Sequence, residues 1–290
     1  MKTRLFLLII WLFPLFLFLS CSKREIEIKV ISFNVRFDNP GDGNNAWPNR
    51  IPLVKQYLEE ESPDIIGFQE ALHHQVEDLS AMLPGYDWVG SGRDDGKEQG
   101  EYTPVFFKKS EFELADKGQF WLSYTPEIPG SIGPGALLPR ITTWAKLIHK
   151  PSKTSLYFFN THFSHVSDEA RQLSAEIIAE KMKQIAGKAP LILTGDFNIE
   201  YGSDTYQLVS QQFLAGNQLI NTFAKNMEEN TAELPKTYNG FSEANTGAFI
   251  DFIFTKKSFS IKGYSVDKVK AGDIFISDHW PVKILLELKK

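Results

Sequence analysis

Six apolar runs scattered along the chain each end in a carboxylate, an amide or an imidazole. Ile31-Ser32-Phe33 leads to Asn34, and Ile65-Ile66-Gly67-Phe68 leads to Glu70. Tyr157-Phe158-Phe159 leads to Asn160 and His162, and Leu191-Ile192-Leu193-Thr194-Gly195 leads to Asp196 and Asn198. Asp251 lies between Phe249-Ile250 and Phe252-Ile253-Phe254, and Ile274-Phe275-Ile276 leads to Ser277-Asp278-His279. Short apolar runs rich in β-branched and aromatic residues read as buried strands. One acid at a strand end is ordinary, because turns and helix caps use such residues. Six such ends ask for a fold in which strand ends meet at a common edge. Carboxylates and amides are the oxygen donors that a hard cation prefers, and Mg2+ binds through few of them. Glu70 is the best candidate for a direct ligand. His162 and His279 suit Mg2+ poorly and fit phosphoryl oxygens better.

The remaining pattern supplies layers around that edge. Glu25 to Phe33 alternates polar and apolar residues, as a half-buried strand does. Pro52 to Glu61 and His74 to Leu83 are predicted helices, and Ser167 to Ile185 is predicted as the longest. Further strands are predicted over Tyr102 to Lys108, Arg140 to His149, Ser155 to Asn160, Pro190 to Thr194, Gly247 to Thr255, Ile261 to Val269 and Pro281 to Leu288. Pro126 to Pro139, dense in proline and glycine, is a long irregular loop. Strands and helices mix without a regular βαβ alternation, which predicts an α+β sandwich with two sheets face to face and helices outside. Hydrophobic residues make up 42% of the chain and aromatics 13%, enough for a sizeable core. No repeat or linker divides residues 25–290, so they are read as one catalytic domain.

The N-terminus has a different purpose. Lys2 and Arg4 precede an unbroken apolar run from Leu5 to Leu19, the pattern of an export signal. The run is short for a bilayer-spanning helix, which needs about 20 apolar residues. Ser20-Cys21 then resembles a bacterial lipobox, so residues 1–20 are expected to be a signal peptide and Cys21 a lipid acceptor. A plain secretory signal or an uncleaved anchor would also fit. Cys21 is the only cysteine, so an intramolecular disulfide is impossible and packing must hold the fold. The expectation is an exported monomer, either secreted or touching a bacterial membrane, periplasmic or at the cell surface, only through a lipid anchor. The formal net charge of -5 disfavours extended nucleic acid as a partner, because phosphate neutralisation usually needs a basic surface.

Six segments in order carry a resemblance: Ser32-Phe33-Asn34-Val35, Gly67-Phe68-Gln69-Glu70, Asn160-Thr161-His162-Phe163, Gly195-Asp196-Phe197-Asn198, Ile250-Asp251-Phe252 and Ser277-Asp278-His279. They resemble the successive motifs of the endonuclease/exonuclease/phosphatase family, of the DNase I-like superfamily, and with Phe120-Trp121-Leu122-Ser123 and Leu138 to Ala145 a bacterial subgroup of it. The resemblance implies a four-layered α/β sandwich with Mg2+, or Mn2+, as cofactor. It implies Glu70 as metal ligand, Asn34 and Asp278 supporting the metal site, and Asp196 taking the proton of the attacking water. It further implies Asn198 placing water and phosphate, His279 on the scissile phosphate with Asp251 behind it, and His162 donating to a non-bridging oxygen. Arg36 departs from the pattern, since abasic-site endonucleases carry an acid there; this puts a second metal ion and a DNA-repair substrate in doubt. On the substrate side, Trp121 and Trp144 are candidates for stacking or for core, Arg140 for phosphate binding and Glu101 for a polar contact. Arg93, His165 and Arg171 are read as structural or solvated. No long exposed apolar loop is expected. The function implied is metal-dependent hydrolysis of a phosphorylated substrate, small or oligomeric and soluble; the alternative is a secreted Mg2+-dependent nuclease.

Overall fold

The structure is a computed structural model that describes residues 26–229, 234–244 and 247–289. The expected signal segment and Cys21 lie outside the described residues. In chain order the elements are β1 (Ile26–Asn34), α1 (Trp47–Glu61), β2 (Ile65–Gln69), α2 (His73–Met82), β3 (Tyr86–Val89), β4 (Val105–Lys108), β5 (Phe112–Trp121), β6 (Ile141–His149) and β7 (Thr154–His162). Then follow α3 (Asp168–Ala186), β8 (Leu191–Asp196), α4 (Asp204–Asn217), β9 (Leu219–Asn221), α5 (Thr222–Glu229), β10 (Asp251–Lys256), β11 (Phe259–Val266), β12 (Lys270–Ala271), β13 (Ile274–Phe275) and β14 (Val282–Leu288).

Alternation along the strands builds the layers. Phe158, Ile192 and Ile253 point between the sheets, where they meet Val30, Ile65 and Ile284. Their neighbours Phe159, Leu193 and Phe254 point outward onto Ile178, Met182 and Phe213 of α3 and α4. Ile31 and Phe33 of β1 do the same against Val54, Leu58, Val76 and Leu79 of α1 and α2. A strand period of two thus feeds two faces, and both faces are covered. The result is the two mixed sheets flanked by helices that the sequence predicts.

One sheet has the order β11-β14-β1-β2-β4-β3, the other β5-β6-β7-β8-β10-β9. Each holds one parallel pair. In β1/β2 the register places Asn34 beside Gln69, and in β7/β8 it places His162 beside Asp196. Antiparallel β10 sets Asp251 beside Asp196. Parallel strands deliver their C-terminal residues to the same end, which brings four of the six apolar runs to one edge. Near that edge the inter-sheet space turns polar. The Asn160 amide donates to the carbonyls of Phe68 (2.6 Å) and Pro104 (3.1 Å) and accepts from Gln69 (2.7 Å) and Thr194 (2.9 Å). Asn160 therefore ties the sheets together and does not reach the open edge. A Cβ at Gly67 would lie 2.4 Å from the Thr194 hydroxyl, so glycine is needed for this approach.

Several element limits differ from expectation. Helix α1 begins at Trp47, not Pro52, because Pro48 occupies the first turn, where no amide N–H is required. Pro52 then costs one internal bond. Helix α4 was not foreseen, although Ser203 caps it through Tyr206 N–H and Tyr206, Val209 and Phe213 form its buried stripe. Helix α3 starts as expected, with Ser167 accepting from Ala170 N–H and acids in the first turn.

Candidate active site

The strand ends meet around Asp196, which is 1% exposed. The Asn34 side-chain N–H donates both to Glu70 Oε1 and to Asp196 Oδ2, each at 3.0 Å, so one amide spaces the two carboxylates. The Asn34 oxygen is already taken by the Arg36 backbone N–H at 2.9 Å. Asn34 thus aligns the acids and does not turn an oxygen toward them, a refinement of its expected place at the metal. The chain leaves the strands through left-handed turns at Arg36 (φ 58°), Glu70 (φ 63°) and Asn198 (φ 51°). Such backbone is uncommon without glycine and concentrates where function holds it. Here it folds the side chains back over the strand ends.

Two imidazoles flank Asp196 and differ electrostatically. His279 Nδ1 lies 2.9 Å from Asp251 Oδ2, and its Nε2 lies 3.7 Å from Asp196 Oδ2. Burial alone would lower its pKa, but the Asp251 and Asp196 carboxylates overcome that and hold it well above the usual histidine range. His162 Nε2 lies 3.5 Å from Asp196 Oδ2 and 3.1 Å from the Asn198 amide. Burial, reinforced by the Arg140 guanidinium, pulls its pKa to about 3, so it stays neutral. An Asn198 N–H donating to Nε2 assigns the proton to Nδ1, which faces Glu101 Oε2 at 3.6 Å. The Asn198 backbone N–H donates to Asp196 Oδ1 at 2.9 Å and locks that carboxylate from the other side. Burial and the neighbouring Asp251 raise the pKa of Asp196.

Asp278, also buried, lies on the Arg36 side of the site. Its carboxylate accepts from Ser277 Oγ (3.3 Å) and lies 3.7 Å from Arg36 Nε. Burial raises its pKa to about 6 despite His279 and Arg36. Arg36 donates to both oxygens of Asp42, at 3.0 and 3.1 Å, which holds the guanidinium beside Asp278. The arginine that breaks the expected acidic pattern thus supplies positive charge at that position.

The substrate-side candidates separate. Glu101 and Arg140 join the site: Glu101 Oε2 lies 3.6 Å from His162 and 4.0 Å from Arg140 Nη1. Arg140 is buried, and its Nε and Nη1 lack hydrogen-bond partners among the described residues. Arg93, read from sequence as structural or solvated, is buried here and pairs with Glu101 at 2.5 Å. His165 meets Arg140 at 3.1 Å. Both contacts fit the structural reading of these two residues, and both bring them next to the site. Trp121 is 5% exposed, and its indole N–H donates to the Arg93 carbonyl at 2.6 Å. It steadies the arginine loop and offers no open face for stacking. Trp144 sits mid-strand among Tyr157 and Phe159, under the helical layer. Trp121 therefore belongs to the packing, and Trp144 is half-buried against the core. The Pro126 to Pro139 loop also departs from expectation. Ile128 and Leu137 are 56% and 70% exposed there, beside Tyr124 at 77%.

Donor atoms of Glu70, His162 and Asp196 all lie within 4.8 Å of one another, as do those of Asp196, Asp251 and His279. Buried carboxylates this close repel unless a cation joins them, and oxygen donors from Glu70 and Asp196 suit a hard one. The residues present therefore fit a divalent cation between Glu70 and Asp196.

Comparisons with known proteins agree with this geometry. Residues 31–279 match the sequence profile of the Endonuclease/Exonuclease/phosphatase family, a span that begins in β1 and ends at His279. The structure is similar to an endonuclease/exonuclease/phosphatase from Bacteroides vulgatus, with 36% identity, TM-score 0.83, and coverage of 91% of this chain and 100% of that one. It is also similar to the mannosyl-6-phosphatase of Bacteroides thetaiotaomicron, with 36% identity, TM-score 0.79, and coverage of 89% and 99%. An uncharacterized protein of Acanthamoeba polyphaga mimivirus is 28% identical over 272 residues, 90% of this chain and 100% of its own length. The chain belongs to the endonuclease/exonuclease/phosphatase family of phosphoester hydrolases, and its fold is the DNase I-like sandwich.

Proposed function

We propose that the chain hydrolyses small soluble phosphoesters, phosphorylated sugars foremost, in a reaction that depends on Mg2+ or Mn2+. The observation that carries this reading is the buried Asp196 carboxylate, flanked by a cationic and a neutral imidazole and spaced by Asn34 from Glu70. The similar mannosyl-6-phosphatase supports a sugar phosphate as substrate.

Glu70 and Asp196 would hold the ion, with Asp278 on the Arg36 side. When bound, the ion supplies Lewis-acid charge to a phosphoryl oxygen. The protein side of the reaction follows from the geometry. Asp196 takes the proton of water as its oxygen bonds to phosphorus, and the ester P–O bond breaks in turn. Asn34 and the Asn198 backbone N–H hold the Asp196 carboxylate in place for that transfer. His279, kept protonated by Asp251 and Asp196, stabilises the negative charge that builds on phosphoryl and leaving oxygens. His162 stays neutral and, through Asn198 and Glu101, fixes the opposite wall. Arg140 presents unpartnered N–H groups on that wall to a bound anion.

The test is a phosphate-release panel with Mg2+, with Mn2+ and with EDTA. Mannose 6-phosphate and other sugar phosphates should be turned over with metal and not with chelator. Degradation of plasmid or RNA without release from any sugar phosphate would replace this reading with the nuclease one. Undiminished activity in EDTA would remove the metal.

A further inference from the structure

Tyr238, Asn239 and Trp280 line a cavity of about 670 Å³, within the size range of small-molecule sites. Its wall is built on the same turn as the catalytic imidazole. Tyr238 pairs with His279 through the backbone and meets its ring edge-on, with centroids 5.1 Å apart. Asn239 N–H donates to the Asp278 carbonyl at 2.7 Å, and Trp280, also in the lining, follows His279 directly. Two of its lining residues, Tyr238 and Trp280, thus stand directly beside His279 in the fold.

The lining is cationic in a chain that is acidic overall. Among the described residues, Lys236, Lys268 and Lys270 face it with Glu243 as the only acid, although the chain carries a formal charge of -5. Lys236 is paired with Glu200 at 3.4 Å, and Lys270 with Glu243. Lys268 has no such pair among the described residues. The exposed Tyr238 ring adds an amphipathic wall suited to a sugar or a planar ring.

We propose that this cavity receives the alcohol half of the phosphoester, and that this half carries a second anionic group, phosphate or carboxylate, held by Lys268. The proposal rests on the phosphoester reading above and names the substrate class more narrowly. A charge-assisted contact of this kind discriminates by affinity and not by chemistry, so its signature is in KM.

The test compares bisphosphates with monophosphates: fructose 1,6-bisphosphate against fructose 6-phosphate, and adenosine 3′,5′-bisphosphate against AMP. The two pairs separate a sugar source of the second charge from a nucleotide source. For at least one pair, kcat/KM should favour the bisphosphate by about tenfold. Lys268→Glu should erase that preference through KM, and Lys268→Gln should fall between. No preference in the wild type, or a preference that survives Lys268→Glu, overturns the proposal. If no phosphoester is turned over, the functional reading fails separately, and calorimetry then decides the cavity. Fructose 1,6-bisphosphate binding about tenfold weaker in Lys268→Glu upholds it; equal binding, or none in the wild type, overturns it.

Discussion

Asp196→Asn should lower kcat by roughly three to four orders of magnitude and leave the fold intact. Positioned proton transfer alone contributes about 10² to 10⁴ in rate. Asp196 also shares Asn34 with Glu70 and faces both imidazoles, so its loss removes more than one interaction at once. Asparagine keeps the shape and can still accept from Asn198 N–H, which limits the structural cost. It also removes one negative charge from a buried group that includes Asp251 and Glu70, where repulsion opposes folding. The melting temperature should therefore hold within a few degrees or rise, roughly a 1 kcal/mol effect. Steady-state phosphate release together with thermal denaturation gives the answer. Turnover within about tenfold of wild type would remove Asp196 from proton transfer.

Arg50→Met is the second large effect, and it acts on stability. Arg50 is fully buried, yet its guanidinium goes to carbonyl oxygens: Val35 (2.6 Å), Asn45 (2.7 Å), Arg36 (3.0 Å) and Ile276 (3.0 Å). Burial pulls its pKa down to about 10, against the opposing pull of Asp278. One side chain thus joins the exit of β1, next to Asn34, to the turn that carries Asp278 and His279. Methionine fills similar volume but leaves these carbonyls without a donor, each costing about 1–3 kcal/mol when buried. Partial hydration offsets part of the sum, so a loss of about 3–5 kcal/mol in urea unfolding is expected. Arg50→Lys should fall between, since an ammonium lacks the planar fork that spans separate carbonyls. A loss below about 1 kcal/mol for methionine would show that the clamp does not stabilise the fold.

These two residues mark the limits of what the chain discloses in one dimension. Asp196 was legible because it ends an apolar run, and the apolar run has to be a strand. The same logic found Glu70, Asp251 and His279, and the mixing of strands with helices pointed to two sheets with helices outside. Arg50 was hidden because its partners are backbone carbonyls at distant positions, which leave no trace in composition or period. Arg93 and His165 could be named from sequence but not their partners, Glu101 and Arg140, which depend on how the loops fold. Trp121 and Trp144 show the converse. Their chemistry permits stacking, and only the fold shows that Trp121 is enclosed and that Trp144 lies against Tyr157 and Phe159. Helix α4 was within reach, since Ser203 and the spacing of Tyr206, Val209 and Phe213 are ordinary helix signals.

Mn2+ titration of the wild type and of Glu70→Gln, followed by calorimetry in the absence of substrate, probes the gathered strand ends most directly. The wild type should bind the ion, and Glu70→Gln should weaken that binding by about 10- to 100-fold or more with the fold retained. Equal affinity in the two proteins, or no binding to the wild type, would contradict a cation site built by Glu70 and Asp196.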